Sequence, residues 1–433
     1  MNIKKLSLIF CTLLTLNALL YGCTKNQVVA TSTNTSNEPN IIKYDPPEDN
    51  SSKTSTTTNN SATSNKNGNS NVNNSTNTAQ PPVDKNTSAS AVKSVTSSKS
   101  SNINANNASK VNVSTESALY DAIKKGIETG TDISVDLSKL SINGSIVDFA
   151  LKVASETGYA GYLENVQYNT NGNNIVLHFN YKAGKDGFTS QINSVNSKVQ
   201  SIVSSVIKQG MNDYEKELAL HNYVVNNTVY DYKNLELNSL PDDSFTAYGV
   251  FLKKVAVCEG YSEAMYRLLS AAGVSNKIIT GTANGVPHAW NLVSINGAYY
   301  HLDATFDDPI SQSGNLLSYN YFNVTDTQIS RDHSWTKNNY PACNNTAANY
   351  FKVNNLLANN QNDFYNIIYN GLSKKQTTIM CKTSSYDTNT FSPNALVDVI
   401  SKHPELNYIN NSKGFSYSYD QNAFVMEFFV SYK

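Results

Sequence analysis

A change of composition near residue 112 decides which part of this 433-residue chain can fold. From Thr24 to about Val111 the sequence is Ser, Thr and Asn with scattered Lys, and it has almost no aromatic or large aliphatic side chains. Such a segment cannot bury enough apolar surface to offset the entropy lost on ordering it. Residues 24–112 are therefore expected to form a disordered tether, and a packed fold is confined to the part from about Thr115 to Lys433.

The residues ahead of the tether point to export. Lys4 and Lys5 precede an apolar run from Leu6 to Tyr21 that is too short and too poorly flanked for a stable membrane span. The run ends in Leu20-Tyr21-Gly22-Cys23, which resembles the lipobox of bacterial lipoproteins. The resemblance implies a signal peptide over 1–23, a lipid on Cys23, and attachment to the extracellular face of the cell membrane through that lipid alone. An ordinary secretory signal that happens to contain Cys23 leads to export as well.

Cysteine usage narrows the chemistry. Beyond Cys11 and Cys23 the chain has Cys258, Cys343 and Cys381, so at least one thiol stays unpaired in an exported protein. Cys343 and Cys381 could pair with each other or be buried separately. No CxxC pair or Cys/His cluster suggests a metal site. The formal net charge of −1, without a basic stripe interleaved with aromatics, argues against nucleic acid as a partner.

The two ends of the foldable part read alike. Leu119–Gly126, Ile133–Leu137, Phe149–Val153, Gly161–Leu163 and Ile175–Lys182 run helix, strand, helix, strand, strand. Phe364–Gly371, Gln376–Met380, Leu396–Ile400, Asn407–Ile409 and Phe424–Lys433 repeat that order. The expected organisation is α+β: small repeat units over 113–190 and 345–433 flank a central domain over 191–344. The central domain opens with a helix over Gln191–Ile207 and a second one capped by Asn212 or Asp213.

The chemistry lies further along the central domain. Cys258 follows the apolar Val255–Val257 and opens a helical stretch that stops at Gly273. Unpaired amides and the positive dipole end at that place favour a thiolate and could stabilise an oxyanion. Asn296-Gly297 then marks a two-residue hairpin in which facing residues sum to 593, so His288 faces Thr305 and Asp303 is its diagonal neighbour. A thiol, an imidazole and a carboxylate are the parts needed to activate a nucleophile, take its proton and orient the base. His301 is a rival base on the same strand face, and Asp307 and Asp308 are rival carboxylates past the strand. His221 and His333 read as packing or surface residues. Tyr248, Trp290 and Tyr261 are candidates for the substrate cleft, with a core role as the alternative for Trp290.

Tyr248-Gly249, Val257-Cys258-Glu-Gly-Tyr261-Ser, His288-Ala-Trp-Asn291 and Asp303-Ala-Thr-Phe-Asp307-Asp308 resemble the bacterial transglutaminase-like superfamily over residues 210–335. Tyr321–Asp326 and His333-Ser-Trp335 extend the resemblance past the core motifs. Phe306 stands where that family often has tryptophan, and Glu259 where it often has glutamine. The resemblance implies a papain-like fold and a Cys258–His288–Asp303 triad acting on amide bonds through a thioester, with no cofactor. Location suggests a cell-wall peptide or a surface protein as substrate. Water would resolve the thioester in a peptidase or amidase, and an amine in a crosslinking enzyme. The competing reading is an inactive domain that serves as a surface binding or scaffolding module.

Overall fold

The computed structural model describes residues 28–30, 92, 94–103, 107–142, 144–309, 317–410 and 415–433. The signal peptide and Cys23 lie outside the described residues, as does most of the tether.

The N-terminal unit is built from strands β1 (Thr96–Lys99) and β2 (Ser109–Val111), helix α1 (Glu116–Thr129), β3 (Ile133–Asp136), α2 (Ile146–Glu156), β4 (Leu163–Asn171) and β5 (Asn174–Tyr181). Its sheet runs β1-β4-β5-β3-β2. Leu119, Ile123 and Ile127 recur every four residues along α1 and so fall on one face, where they pack with Ile146, Ala150 and Val153 of α2 over the sheet. This unit starts earlier than expected, because β1 and β2 were assigned to the tether. Both are short, polar and mostly exposed edge strands, which bond through their backbones and carry no apolar pattern to read.

The central domain begins with α3 (Gly184–Val206), seven residues ahead of the expected Gln191, and α4 (Asp213–Asn227). Asn212 is the cap of α4 and forms a reciprocal capping box with Glu215. The two-residue strands β6 (Val229–Tyr230) and β7 (Val255–Ala256) pair in parallel and deliver the chain to α5 (Cys258–Ala271). Helix α5 is buried along most of its length, with α3 and α4 on one side and a sheet on the other. That sheet, ordered β10-β9-β8-β11, contains β8 (Asn276–Ala283), β9 (Val286–Ile295), β10 (Ala298–Leu302) and β11 (His333–Ser334).

The C-terminal unit contains β12 (Leu357–Ala358), α6 (Gln361–Ser373), β13 (Thr378–Thr383), α7 (Ala395–Lys402), β14 (Phe415–Asp420) and β15 (Val425–Val430). Strands β14-β15-β13-β12 follow in the same order as β4-β5-β3-β2, with the same parallel and antiparallel pairings. Phe364, Ile368 and Leu372 repeat the four-residue stripe of α1. Residues 28–30, also expected to be featureless, pair antiparallel with the outer edge at 415–417. Among the described residues no helix is long and apolar enough to cross a membrane.

The earlier start has a measurable consequence. A chain beginning at residue 113 lacks β1, β2 and the half-buried Val95 and Val111. It is expected to unfold in urea with a stability lower by roughly 1–3 kcal/mol than one beginning at residue 92, since buried valines contribute that much. Coincident unfolding curves by circular dichroism would return β1 and β2 to the tether.

Candidate active site

Cys258 is the first residue of α5, fully buried, and preceded by Val257 in extended conformation. The next turn requires Gly260. A Cβ there would lie 2.9 Å from Ser244 O and 3.0 Å from Thr246 O, because the backbone of 244–246 runs against the helix start. Facing Cys258 across the sheet is His288 on β9. The hairpin pairs Ile295 with Ala298 and Asn291 with Leu302, which is the register with sums of 593. It brings His288 Nε2 to 2.7 Å from Asp303 Oδ2, and His288 also shares a side-chain hydrogen bond with Cys258. With Nε2 on the carboxylate, Nδ1 is the nitrogen left for the thiol.

Asp303 accepts four hydrogen bonds. Its Oδ1 accepts from the backbone amides of Thr305 at 3.0 Å and Phe306 at 3.1 Å. Its Oδ2 accepts from His288 and, at 3.0 Å, from His333 Nε2. Burial opposes the charge, but the two histidines outweigh it and hold the carboxyl well below the usual range. Burial likewise opposes a charge on His288, and Asp303 and Cys258 overcome it to raise the imidazole to about 9.

The rivals are placed elsewhere. His301 lies on the same face as His288, but Trp290 sits between them and donates Nε1–H to His301 Nδ1 at 3.0 Å. Asp307 is 3.2 Å from buried His221 and also accepts from the Tyr321 amide. Asp308 accepts from Tyr261 Oη at 2.5 Å. Two cleft assignments need correction. Tyr261 is fully buried in the core and anchors Asp308, and Trp290 is a buried aromatic stacked 5.9 Å from the His288 ring. Large rings fill space under the triad because the helix–sheet interface there is apolar. Tyr248 is half-buried beneath Lys253 Nζ, 5.6 Å from its ring. Cys343 and Cys381 are free, buried thiols in two separate hydrophobic clusters.

His333 and His221 are packed in the interior and not on the surface, and beyond packing each is held by a carboxylate. His333 reaches Asp303 because β11 pairs with β8, a contact with no local signature. Gly281 permits it. It sits opposite His288, and a Cβ there would lie 2.2 Å from Ser334 O and 2.9 Å from the Trp290 ring. Tyr230 was also missed. It is buried in the same hydrophobic cluster as Cys258, and burial, followed by the charges of Cys258 and Asp303, pushes its hydroxyl well up.

Residues 200–304 match the sequence profile of the transglutaminase-like superfamily. No curated protein gives a significant match to the chain. Solved structures that match part of the chain include a TGase, at 21% identity over 40% of this chain and 50% of that one, with a TM-score of 0.24. Another is a candidate cysteine protease from Cytophaga hutchinsonii, at 15% identity over 35% of this chain and 64% of that one, with a TM-score of 0.23. A third is an arylamine N-acetyltransferase from Bacillus cereus, at 10% identity over 25% of this chain and 48% of that one, with a TM-score of 0.21. The chain thus spans half the length of the TGase and under two thirds of the other two.

Two predictions follow the geometry. Gly281→Ala is expected to destabilise the protein by about 1–3 kcal/mol, as overpacking does, and to slow alkylation of Cys258 by moving β11 or Trp290. Unchanged melting and labelling would show that β8 and β11 separate freely. The second concerns pH. The unfolded chain releases its histidine protons near pH 6.5. The stability contributed by His288 and His333 is therefore complete below that pH and lost as pH rises through about 9. Burial raises Glu217 to about 8, Asp307 to about 6 and Asp308 to about 7, so these acids too favour the folded state only while protonated. Asp303 acts in the opposite sense, losing its contribution as pH falls below about 4. The melting temperature is expected to fall from pH 5 to pH 9, and a flat profile would contradict the burial of these charges.

Proposed function

We propose, from a central domain that belongs to the transglutaminase-like superfamily of cysteine acyltransferases and peptidases, that this protein cleaves or exchanges amide bonds through a thioester on Cys258. The observation that carries the reading is one continuous path. It runs from a thiol at the start of α5, through His288, to an ionised and fully coordinated Asp303.

The steps need only groups of this chain. His288 takes the Cys258 proton, and the thiolate attacks the amide carbonyl carbon while the carbonyl oxygen gains the negative charge. The amides at the start of α5, where Cys258 stands, would donate to that oxygen. As the carbon–nitrogen bond breaks, His288 gives its proton to the leaving amine, and the acyl group remains on sulfur. Water or an amine then attacks the thioester, His288 takes the new proton, and the Cys258 thiolate leaves. Asp303 keeps His288 in one tautomer and stabilises its charged form throughout.

The natural substrate class is the peptide amide of a cell-wall peptide or a surface protein. This follows from an N-terminal sequence that reads as export and lipid attachment at Cys23, with the catalytic domain beyond a long polar tether. Nucleic acid is not proposed as a partner of a chain with formal net charge −1.

Alkylation of Cys258 by iodoacetamide at pH 7 tests the reading directly. Replacing His288 by alanine is expected to slow it by roughly 10²-fold or more, the low end of what a positioned base contributes. Cys343 and Cys381, whose thiols burial pushes far up, should stay unlabelled in the folded protein. Equal rates in the wild type and His288→Ala would remove the enzyme reading and leave a binding module.

A further inference from the structure

Both imidazoles on Asp303 use the same oxygen, and the second has no part in the steps above. His333 donates Nε2–H to Asp303 Oδ2 at 3.0 Å, and its Nδ1 lies 2.5 Å from Asp332 Oδ1. A neutral imidazole has one N–H and could satisfy only one carboxylate. A ring hydrogen-bonded to carboxylates at both nitrogens is an imidazolium. Its surroundings keep it there. Phe306 lies 4.7 Å from the ring, Trp290 5.1 Å, His288 5.3 Å and Tyr321 5.5 Å, and the Tyr321 hydroxyl donates to the far oxygen of Asp332. The charged and titratable groups facing it are Asp303 from the end of β10, His288 on β9 with Cys258 behind, His301 on β10 beyond Trp290, Tyr321, and Asp332 with its neighbour Arg331.

We propose that His333 is a positioning residue for the thioester chemistry: its fixed positive charge on Asp303 limits how firmly that carboxylate holds the proton on His288. The inference rests on the reading of Cys258, His288 and Asp303 as an amide-cleaving triad. An unshared, buried carboxylate 2.7 Å from His288 would favour the imidazolium so strongly that it became a poor acid toward the leaving amine. A cation on the other side of the same oxygen offsets part of that attraction while leaving the hydrogen bond, and so the orientation, in place. Burial opposes the charge on His333, but Asp303 and Asp332 outweigh it and raise the ring to about 9, so it stays charged at neutral pH. The alternative is a mere hydrogen-bond donor that steadies Asp303, a task any neutral N–H could perform.

Gln in place of His333 separates these, because its amide can still donate to Asp303 but carries no charge. The measurement is the protonation of ring nitrogens by ¹⁵N NMR across pH in the full chain, whose six histidines can be assigned by substitution. In the wild type both His333 nitrogens are expected to be protonated from pH 6 to pH 8. In His333→Gln the loss of a nearby positive charge favours protonated His288, so His288 should release its proton at higher pH. For a charge at the 5.3 Å ring separation the shift is roughly 0.5–1 pH unit with strong solvent screening. A neutral His333 in the wild type overturns the proposal, as does an unchanged His288 midpoint in folded His333→Gln. If that variant fails to fold, the wild-type spectrum still decides whether the charge exists. Alkylation of Cys258 that ignores His288 would instead remove the triad reading while leaving the His333 charge standing.

Discussion

The structure of the central domain depends on keeping one ionised carboxylate, Asp303, out of water. Moving such a group into a protein interior costs several kcal/mol even after relaxation. The cost is offset by four donors: two backbone amides of the turn that follows β10 and two imidazoles from β9 and β11. A hydrogen bond to a charged group contributes about 1.5–3 kcal/mol, so the loss of even one donor shifts the balance. This requirement fixes the shape of the turn at 303–306, the position of β11, and the identity of Gly281, which lets β11 and Trp290 approach. Helix α5 packs against the same sheet with its first residue at the carboxylate–imidazole pair. The geometry of the Cys258–His288–Asp303 site and the stability of the domain are therefore one arrangement.

The flanking units have the same topology but different relations to that arrangement. The N-terminal unit meets the central domain at two places, with Gly161 close against Phe245 and Thr246 in the segment beside the start of α5, and Lys124 Nζ 3.2 Å from Tyr266 Oη further along that helix. The C-terminal unit grips the segment that carries Tyr321 and His333. Asn320 donates to Asp420 at 2.8 Å, and Arg331 donates to Asn422 O at 2.5 Å while stacking on Phe424. Between these contacts Lys382, which burial lowers to about 8, donates to Ala423 O at 2.6 Å. One unit thus braces the strand that carries the second imidazole.

What could be read from the sequence follows the range of each interaction. The Asn296-Gly297 turn sets a register two residues at a time, so the approach of His288 to Asp303 was available from the hairpin alone. Cys258 at a helix start was equally local, and the four-residue stripes of α1 and α6 made the repeated units visible. The roles of His333 and His221 were not available, because each reaches its carboxylate from a distant segment, 30 and 86 residues away. Strands β1 and β2 escaped for another reason. Edge strands held by backbone bonds need no apolar side chains, and theirs look like the tether.

Residue types alone do not make a triad, as a second Cys-His-Asp group in this sheet demonstrates. Cys343, His301 and Asp326 also lie together, with His301 Nε2 2.8 Å from Asp326 Oδ1. There His301 Nδ1 already accepts the Trp290 N–H, so its single proton sits on Nε2 and is donated to Asp326. No lone pair is left to take a proton from sulfur, and the same tautomer turns no lone pair toward a cation. Cys343 meets the carboxylate directly, and burial together with that charge pushes its thiol far up rather than down. In the Cys258 group the order is thiol, imidazole, carboxylate, and the imidazole separates the two acids. In the Cys343 group the carboxylate stands next to both. The same three side chains therefore stand in an order that allows a proton to pass from thiol to imidazole in one place and forbids it in the other, and the order of contact decides which.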